Sequence, residues 1–108
     1  MARMLYAVVL APEAVKQLKA LRAKAFAEVR DAMELHLRHE PSKVSKSRIK
    51  RLRGLSQPQF RLRVGEYRVY YDVRAKAVEV LVIITKAQAA GWLKEKGVPS
   101  EEGGTSEG

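Results

Sequence analysis

The chain has 108 residues, the size of one domain with a single hydrophobic core, which excludes a multidomain enzyme carrying its own cofactor fold. Hydrophobic residues make up 46% and charged residues 31%, as in a globular protein, and no apolar run approaches the roughly 20 residues that span a bilayer, so no membrane partner is expected. Twenty-one Lys and Arg against 12 Asp and Glu give a net charge of +9, and cysteine is absent, which removes disulfides, thiolate nucleophiles and Cys-based zinc sites.

The first ten residues hold one Arg and an apolar stretch too short for a signal peptide, so the cytoplasm is the expected compartment. Leu5 to Leu10 is a short apolar run closed by Pro12 and reads as a buried strand. Pro12 suits a helix start. From there to about His39 the apolar residues recur at helical spacing, with Val15 and Leu18 on one stripe and Phe26, Val29, Met33 and Leu37 on another. A single helix of that length would measure about 42 Å, against a radius of gyration of about 13 Å for a domain of this size. A break near Leu21 to Lys24 and a two-helix hairpin packed on a sheet are therefore expected, with Pro41 ending the second helix. Pro41 to Gly54 is polar and basic, and reads as a mobile, exposed connection.

The clearest signal is Gln59 to Val73. Phe60, Leu62 and Val64 alternate with Arg61 and Arg63 up to Gly65-Glu66, and alternation resumes from Arg68 to Asp72. This pattern predicts a β-hairpin whose Gly65-Glu66 loop is of type II′. Val78 to Ile84 is a continuous β-branched run, as in a central strand covered on both faces, entered by a turn at Arg74 to Ala77. Thr85 with Gln88 fits a capping box, and Gly97 with Pro99 a stop, so a helix is expected over Lys86 to Lys96, anchored by Trp92 and Leu93. The fold class is α+β: an N-terminal strand, a two-helix hairpin, an antiparallel sheet with four strands in total, and a short C-terminal helix. Residues 1–97 form the expected domain and residues 98–108 a disordered acidic tail.

The charge is focused. Between Lys43 and Lys76 there are 11 basic residues against two acids, Glu66 and Asp72, the footprint of a protein that meets phosphates, although anionic membranes, acidic protein partners or simple solubility would also use it. The hairpin register pairs Arg63 with Arg68 and Arg61 with Tyr70. Arg61, Arg63, Arg68 and Tyr70 then share one face, while Phe60, Leu62, Val69 and Tyr71 build the core. Like charges opposite one another on a sheet destabilise it, and an anion between them would remove the conflict. Each Arg offers a planar fork to a phosphate, and Tyr70 a ring to stack on a base. The alternative is that long Arg stems merely cover an exposed sheet face. His36 and His39 lie three residues apart on one side of a helix but have no third ligand nearby, so they read as surface histidines and no metal or cofactor is expected.

The element order, together with Leu52-Arg53-Gly54-Leu55, the strand Phe60-Arg61-Leu62-Arg63 and Gly65-Glu66-Tyr67-Arg68-Val69-Tyr70-Tyr71, resembles the RelE/ParE superfamily of toxin–antitoxin toxins, RelE-like messenger RNA interferases most of all. The resemblance runs from about Leu5 to Lys96. It implies a small toxin held inactive by a cognate antitoxin. RelE-like members cut messenger RNA in the ribosomal A site without a metal, whereas ParE-like members inhibit DNA gyrase. On the RelE-like reading Arg61, Arg63 and Arg68 hold the scissile phosphate and assist attack by the neighbouring 2′-hydroxyl, with Lys86 adding charge. In the segment where the nuclease branch often carries an Arg and a stacking Tyr, this chain has Ala87 and Leu93, flanked by Lys86 and Trp92, and Trp92 or Tyr70 would supply the ring. Lys43, Lys46, Arg48, Lys50, Arg51 and Arg53 would add less specific contacts to ribosomal RNA. The alternatives implied are a ParE-like gyrase inhibitor, or a protein of this fold that only binds RNA or an antitoxin.

Overall fold

The apolar and basic alternation from Phe60 to Val73 folds as a hairpin, and the rest of the chain is assembled on it. In a computed structural model that describes residues 5–100, the elements in order are β1 (Ala7–Leu10), α1 (Pro12–Lys19), α2 (Ala23–Ala32) with a π-helical turn (Met33–Leu37), β2 (Ile49–Arg51), β3 (Leu55–Gln57), β4 (Phe60–Val64), β5 (Tyr67–Arg74), β6 (Ala77–Thr85), α3 (Lys86–Lys96) and β7 (Val98–Pro99). The larger sheet has the order β1-β6-β5-β4-β2, and β3 pairs with β7 in a second, two-stranded sheet.

The α+β class and the sequence of elements match expectation, but the sheet differs in two respects. β1 lies parallel to β6, since a strand followed by helices need not reverse as a hairpin strand must. A fifth strand, β2, lies within the segment expected to be a mobile connection. Ile49 is the reason: unlike the exposed Val44 of the same basic run, it pairs with Leu62 and is only 4% exposed. Upstream of it, the Ser45 hydroxyl accepts hydrogen bonds from the backbone N–H groups of Arg48 and Ile49, both at 3.1 Å, which organises the approach to the strand.

The helical segment breaks at Ala20 to Arg22, close to the expected place. Leu18 and Leu21 turn into the core there, and Gln17 Oε1 accepts from the Ile83 backbone N–H at 2.8 Å. That bond completes β6 beyond the end of β1, whose pairing stops at Leu10. Ala14, Val29, Met33 and Leu37 cover one sheet face, formed by Phe60, Leu62, Val69, Tyr71, Val78, Val80 and Ile83. A smaller cluster of Tyr70, Val82, Ile84 and Ala89, with Leu52, Trp92 and Leu93 against it, lies under α3 on the other face.

The hairpin register is the expected one at every pair from Phe60↔Tyr71 to Val64↔Tyr67. Gly65 sits at φ +57° and Glu66 does not take a positive φ, as a II′ loop requires. On β6, Tyr70 pairs with Val82 but Tyr71 with Val80, leaving Leu81 as an extra residue. This bulge switches the phase of the strand, so Val78 and Val80 face the main core while Val82 and Ile84 face α3.

Asp72, 1% exposed, ties the hairpin to the segment before it. Its carboxylate accepts from the Gln59 backbone N–H at 2.8 Å and from Gln57 Nε2 at 2.7 Å, while Gln59 Oε1 accepts from the Val73 N–H at 2.9 Å. The Tyr71 hydroxyl donates to the Pro41 carbonyl at 2.6 Å, tying β5 to the chain after the helices, and burial pushes its pKa upward. The expected capping box is present, with the Thr85 hydroxyl accepting from the Gln88 N–H and Gln88 Oε1 from the Thr85 N–H. Past Gly97 the chain continues into β7 and Ser100 donates to the Gly54 carbonyl. Residues 98–100 are thus held in the fold, unlike the tail expected from residue 98, whose remainder lies outside the described residues. Gly97 permits this turn, because a Cβ there would meet the Leu93 carbonyl at 2.5 Å.

Ala75, in the turn between β5 and β6, sits at φ +49°, a region that disfavours a side chain by about 1 kcal/mol. Ala75→Gly should therefore raise stability by up to about 0.5 kcal/mol once the added unfolded-state entropy, about 0.5–1 kcal/mol, is subtracted. A midpoint in urea that rises with an unchanged m-value would show it, and a fall would mean that the turn carries no strain.

Candidate nucleic-acid interface

Side chains directly opposite one another on neighbouring strands point to the same face, so the register places the basic residues without further assumption. Arg63 pairs with Arg68, Arg61 with Tyr70 and Lys50 with Arg61, and the Arg63 N–H donates to the Arg48 carbonyl at 2.8 Å. Arg48, Arg63 and Arg68 therefore form one row across three neighbouring segments, and Lys50, Arg61 and Tyr70 a second. The sequence pattern assigns Arg61, Arg63 and Arg68 to this face, and the structure adds Arg48 and Lys50 from the segment expected to be a mobile connection. The signal that would have found them is the Arg48-Ile49-Lys50 triplet, a basic-apolar-basic alternation that copies Arg61-Leu62-Arg63.

The three hairpin arginines differ. Arg63 is exposed. Arg68 is 8% exposed, and its Nη1 donates to the carbonyls of Gly65 at 2.8 Å and Tyr67 at 3.0 Å, so it also braces the hairpin turn. Arg61 is half-buried, and its Nε is a buried donor without a partner. Burial first, then the charges of Arg68 and Arg63, lowers its pKa, with Tyr70 opposing. Among the described residues no carboxylate lies within ion-pair distance of any of the three. Buried unpaired donors are uncommon and cost about 1–3 kcal/mol each; separately, an anion seated on the outer edges of these guanidinium groups would screen Arg63 from Arg68.

The aromatic residues are arranged otherwise than expected. Tyr70 is 3% exposed, and its ring stacks on Trp92 at a centroid distance of 5.6 Å and an interplanar angle of 7°. Burial raises the Tyr70 pKa, against the opposing charges of Arg61 and Arg68. Each ring thus occupies one face of the other, and the open Tyr70 ring pictured from the sequence for stacking on a base is not presented. Trp92 serves as the packing anchor of α3, although its Nε1 is a second buried donor without a partner. Leu93 packs in the same cluster and Ala87 is exposed.

The remaining basic residues are scattered. Lys86 opens α3, its backbone N–H donating to the Glu66 carbonyl at 2.7 Å, which places it beside the hairpin loop with an exposed side chain. Arg51 is on the opposite face from Arg61, over the Phe60 ring at 5.2 Å, apart from the arginine rows. Lys46 and Arg53 are exposed in loops. Lys43 lies 3.8 Å from Glu40 and, with His36 and His39, lines a separate cavity. Among the described residues no group of three His, Cys, Asp or Glu is gathered as a metal site, and no helix is long and apolar enough to cross a membrane.

The family model for the ParE toxin of the type II toxin–antitoxin system parDE matches residues 8–90. The chain belongs to this toxin family. The toxin is also similar to solved structures of RelE–RelB complexes, in keeping with the expected place in the RelE/ParE superfamily. The archaeal RelE–RelB complex from Pyrococcus horikoshii OT3 matches with a TM-score of 0.64 and 26% identity, over 79% of this chain and 99% of that one. The toxin–antitoxin complex RelBE2 from Mycobacterium tuberculosis matches with a TM-score of 0.63 and 26% identity, over 80% and 97% of the two chains. The RelB–RelE complex from Methanococcus jannaschii, at 20% identity and a TM-score of 0.61 over 78% of this chain and 96% of that one, shares the fold. The toxin has no match among curated proteins.

Proposed function

We propose that the toxin cuts messenger RNA on the ribosome, as a metal-independent endoribonuclease that blocks translation from the cytoplasm. The observation that carries this reading is the Arg61, Arg63 and Arg68 cluster on one sheet face, which has no carboxylate partner among the described residues. A scissile phosphodiester bound there is held by planar forks of donors, and the negative charge that develops on its oxygens is stabilised by groups already in place. The nucleophile lies within the substrate. The adjacent 2′-oxygen bonds to phosphorus as the bond to the 5′-oxygen breaks, leaving a 2′,3′-cyclic phosphate and a 5′-hydroxyl, with the proton passing from one oxygen to the other through water. Guanidinium groups stay protonated throughout the physiological range, so the arginines supply charge and orientation, with Lys86 beside them and the cognate antitoxin as the protein that silences the site.

Primer extension on a message in a reconstituted translation reaction tests this. Cuts that require ribosomes, and persist in chelator on stalled complexes, are the expected result. The absence of cuts at concentrations that arrest growth would overturn it. One observation favours a second reading, inhibition of DNA gyrase: the Tyr70–Trp92 stack leaves no open ring over the arginines. Gyrase supercoiling that falls when the toxin is added would support that reading.

A further inference from the structure

Beside the arginine row, one cavity joins Arg48 of that row to basic side chains that the reading above does not use. It holds about 300 Å³ between the end of the π-helical turn and the loop into β2, with His36, His39 and Glu40 on one side and Lys43, Ser47 and Arg48 on the other. The loop is fixed by the Ser45 hydroxyl, which accepts the Arg48 backbone N–H. A smaller cavity of about 280 Å³ is lined by Ser47, Arg48, Arg63 and Gly65. Ser47 and Arg48 are common to both cavities, so the two adjoin, and positive charge runs from Arg63 through Arg48 to Lys43, with the His36 imidazole beside it. Among the described residues Glu40 is the one carboxylate lining the larger cavity, and it faces the exposed Lys43 at 3.8 Å, a pair too open to neutralise Arg48.

Resting on the RNA reading, we propose that this cavity is a second phosphate subsite, taking a neighbouring phosphodiester of the RNA strand whose scissile phosphate lies on Arg61, Arg63 and Arg68. Leu35, 64% exposed at the cavity, gives an apolar lip against which a ribose or base can rest. The state of His36 agrees with a cavity awaiting an anion: burial, then the charge of Arg48, depresses its pKa, and a phosphate between the two would offset both effects. The volume is at the lower end of the range for small-ligand sites, enough for a phosphate with part of its nucleotide.

The test compares a trinucleotide with a nonanucleotide, both with 2′-O-methyl riboses that cannot be cleaved, by fluorescence anisotropy with the full chain over a range of salt concentrations. In the double variant His36→Gln, Lys43→Gln, trinucleotide affinity should be unchanged. Nonanucleotide affinity should fall about 10-fold, with the salt slope reduced by about one as a phosphate contact is lost. Lys43→Gln alone, at an exposed position that leaves the core intact, should show part of the same length-dependent loss. Nonanucleotide binding equal to that of the unmodified chain overturns the subsite. A loss seen only with intact ribosomes, and not with the oligonucleotide, assigns the phosphate to ribosomal RNA and likewise overturns it. If Arg61→Gln, Arg63→Gln binds the trinucleotide normally, the scissile site fails instead, while a length-dependent loss in the His36 and Lys43 variant still supports an RNA site in the cavity.

Discussion

Replacing Arg61 and Arg63 together by Gln should lower ribosome-dependent cleavage by about 10³-fold or more and abolish growth arrest, with little change in Tm. Removing one preorganised donor from a developing oxyanion costs about 10² to 10³ in rate, and this variant removes two charged forks while keeping part of each stem over the sheet. The stability side follows from the same geometry. Arg61 and Arg63 make no ion pair among the described residues, Arg61 Nε is buried without a partner, and Arg68 and Arg63 both depress the Arg61 pKa. Neutralising such a cluster relieves repulsion rather than breaking a bond. Arg68 is a poorer choice for this test, because its Nη1 holds the Gly65 and Tyr67 carbonyls, so its loss would mix chemistry with a weakened turn. Full cleavage by the Arg61 and Arg63 variant would remove the arginine face from the mechanism.

Asp72→Ala should cost about 3 kcal/mol, although the residue touches no candidate site residue. Its buried carboxylate accepts from the Gln59 N–H and Gln57 Nε2, and hydrogen bonds to a charged group are worth about 1.5–3 kcal/mol each, with donors left unpaired afterwards. The Arg74 contact at 3.4 Å adds little, because that side chain is 63% exposed. For a domain of this size each kcal/mol moves Tm by about 4–8 °C, so a fall of roughly 12–24 °C is expected. Thermal unfolding followed by circular dichroism measures it. A change below about 4 °C would mean that Gln57 and Gln59 find other partners, and that Asp72 is not what joins the hairpin to the segment before it.

The parts of the fold that the sequence disclosed are those where chemistry repeats at the period of the element. Phe60 to Val64 alternates apolar and basic residues, so strand, register and face could all be read, and the register is correct at each pair. Thr85 and Gln88 announce their helix by the capping chemistry itself. Where a single residue decides, periodicity is silent. Ile49 alone makes a strand of a basic run, and through it Arg48 and Lys50 join the arginine face. The small β3–β7 sheet has no pattern to detect, since its strands span three and two residues. The Tyr70–Trp92 stack joins residues 22 positions apart, and only the packing of α3 on the sheet brings them together.

The bulge at Leu81 marks where this sheet can absorb an insertion and where it cannot. Around Leu81 both neighbours, Val80 and Val82, are apolar and buried on opposite faces, so shifting the phase exchanges one hydrophobic residue for another. On β4 the two phases carry unlike messages, Phe60, Leu62 and Val64 inward and Arg61 and Arg63 outward. A one-residue insertion there would bring guanidinium groups into the core and expose a phenyl ring in the same step. Genetic drift in the length of β6 is therefore compatible with a working toxin. The length of β4 is not free to vary, because one misplaced codon would cost the protein its interior and its charge together.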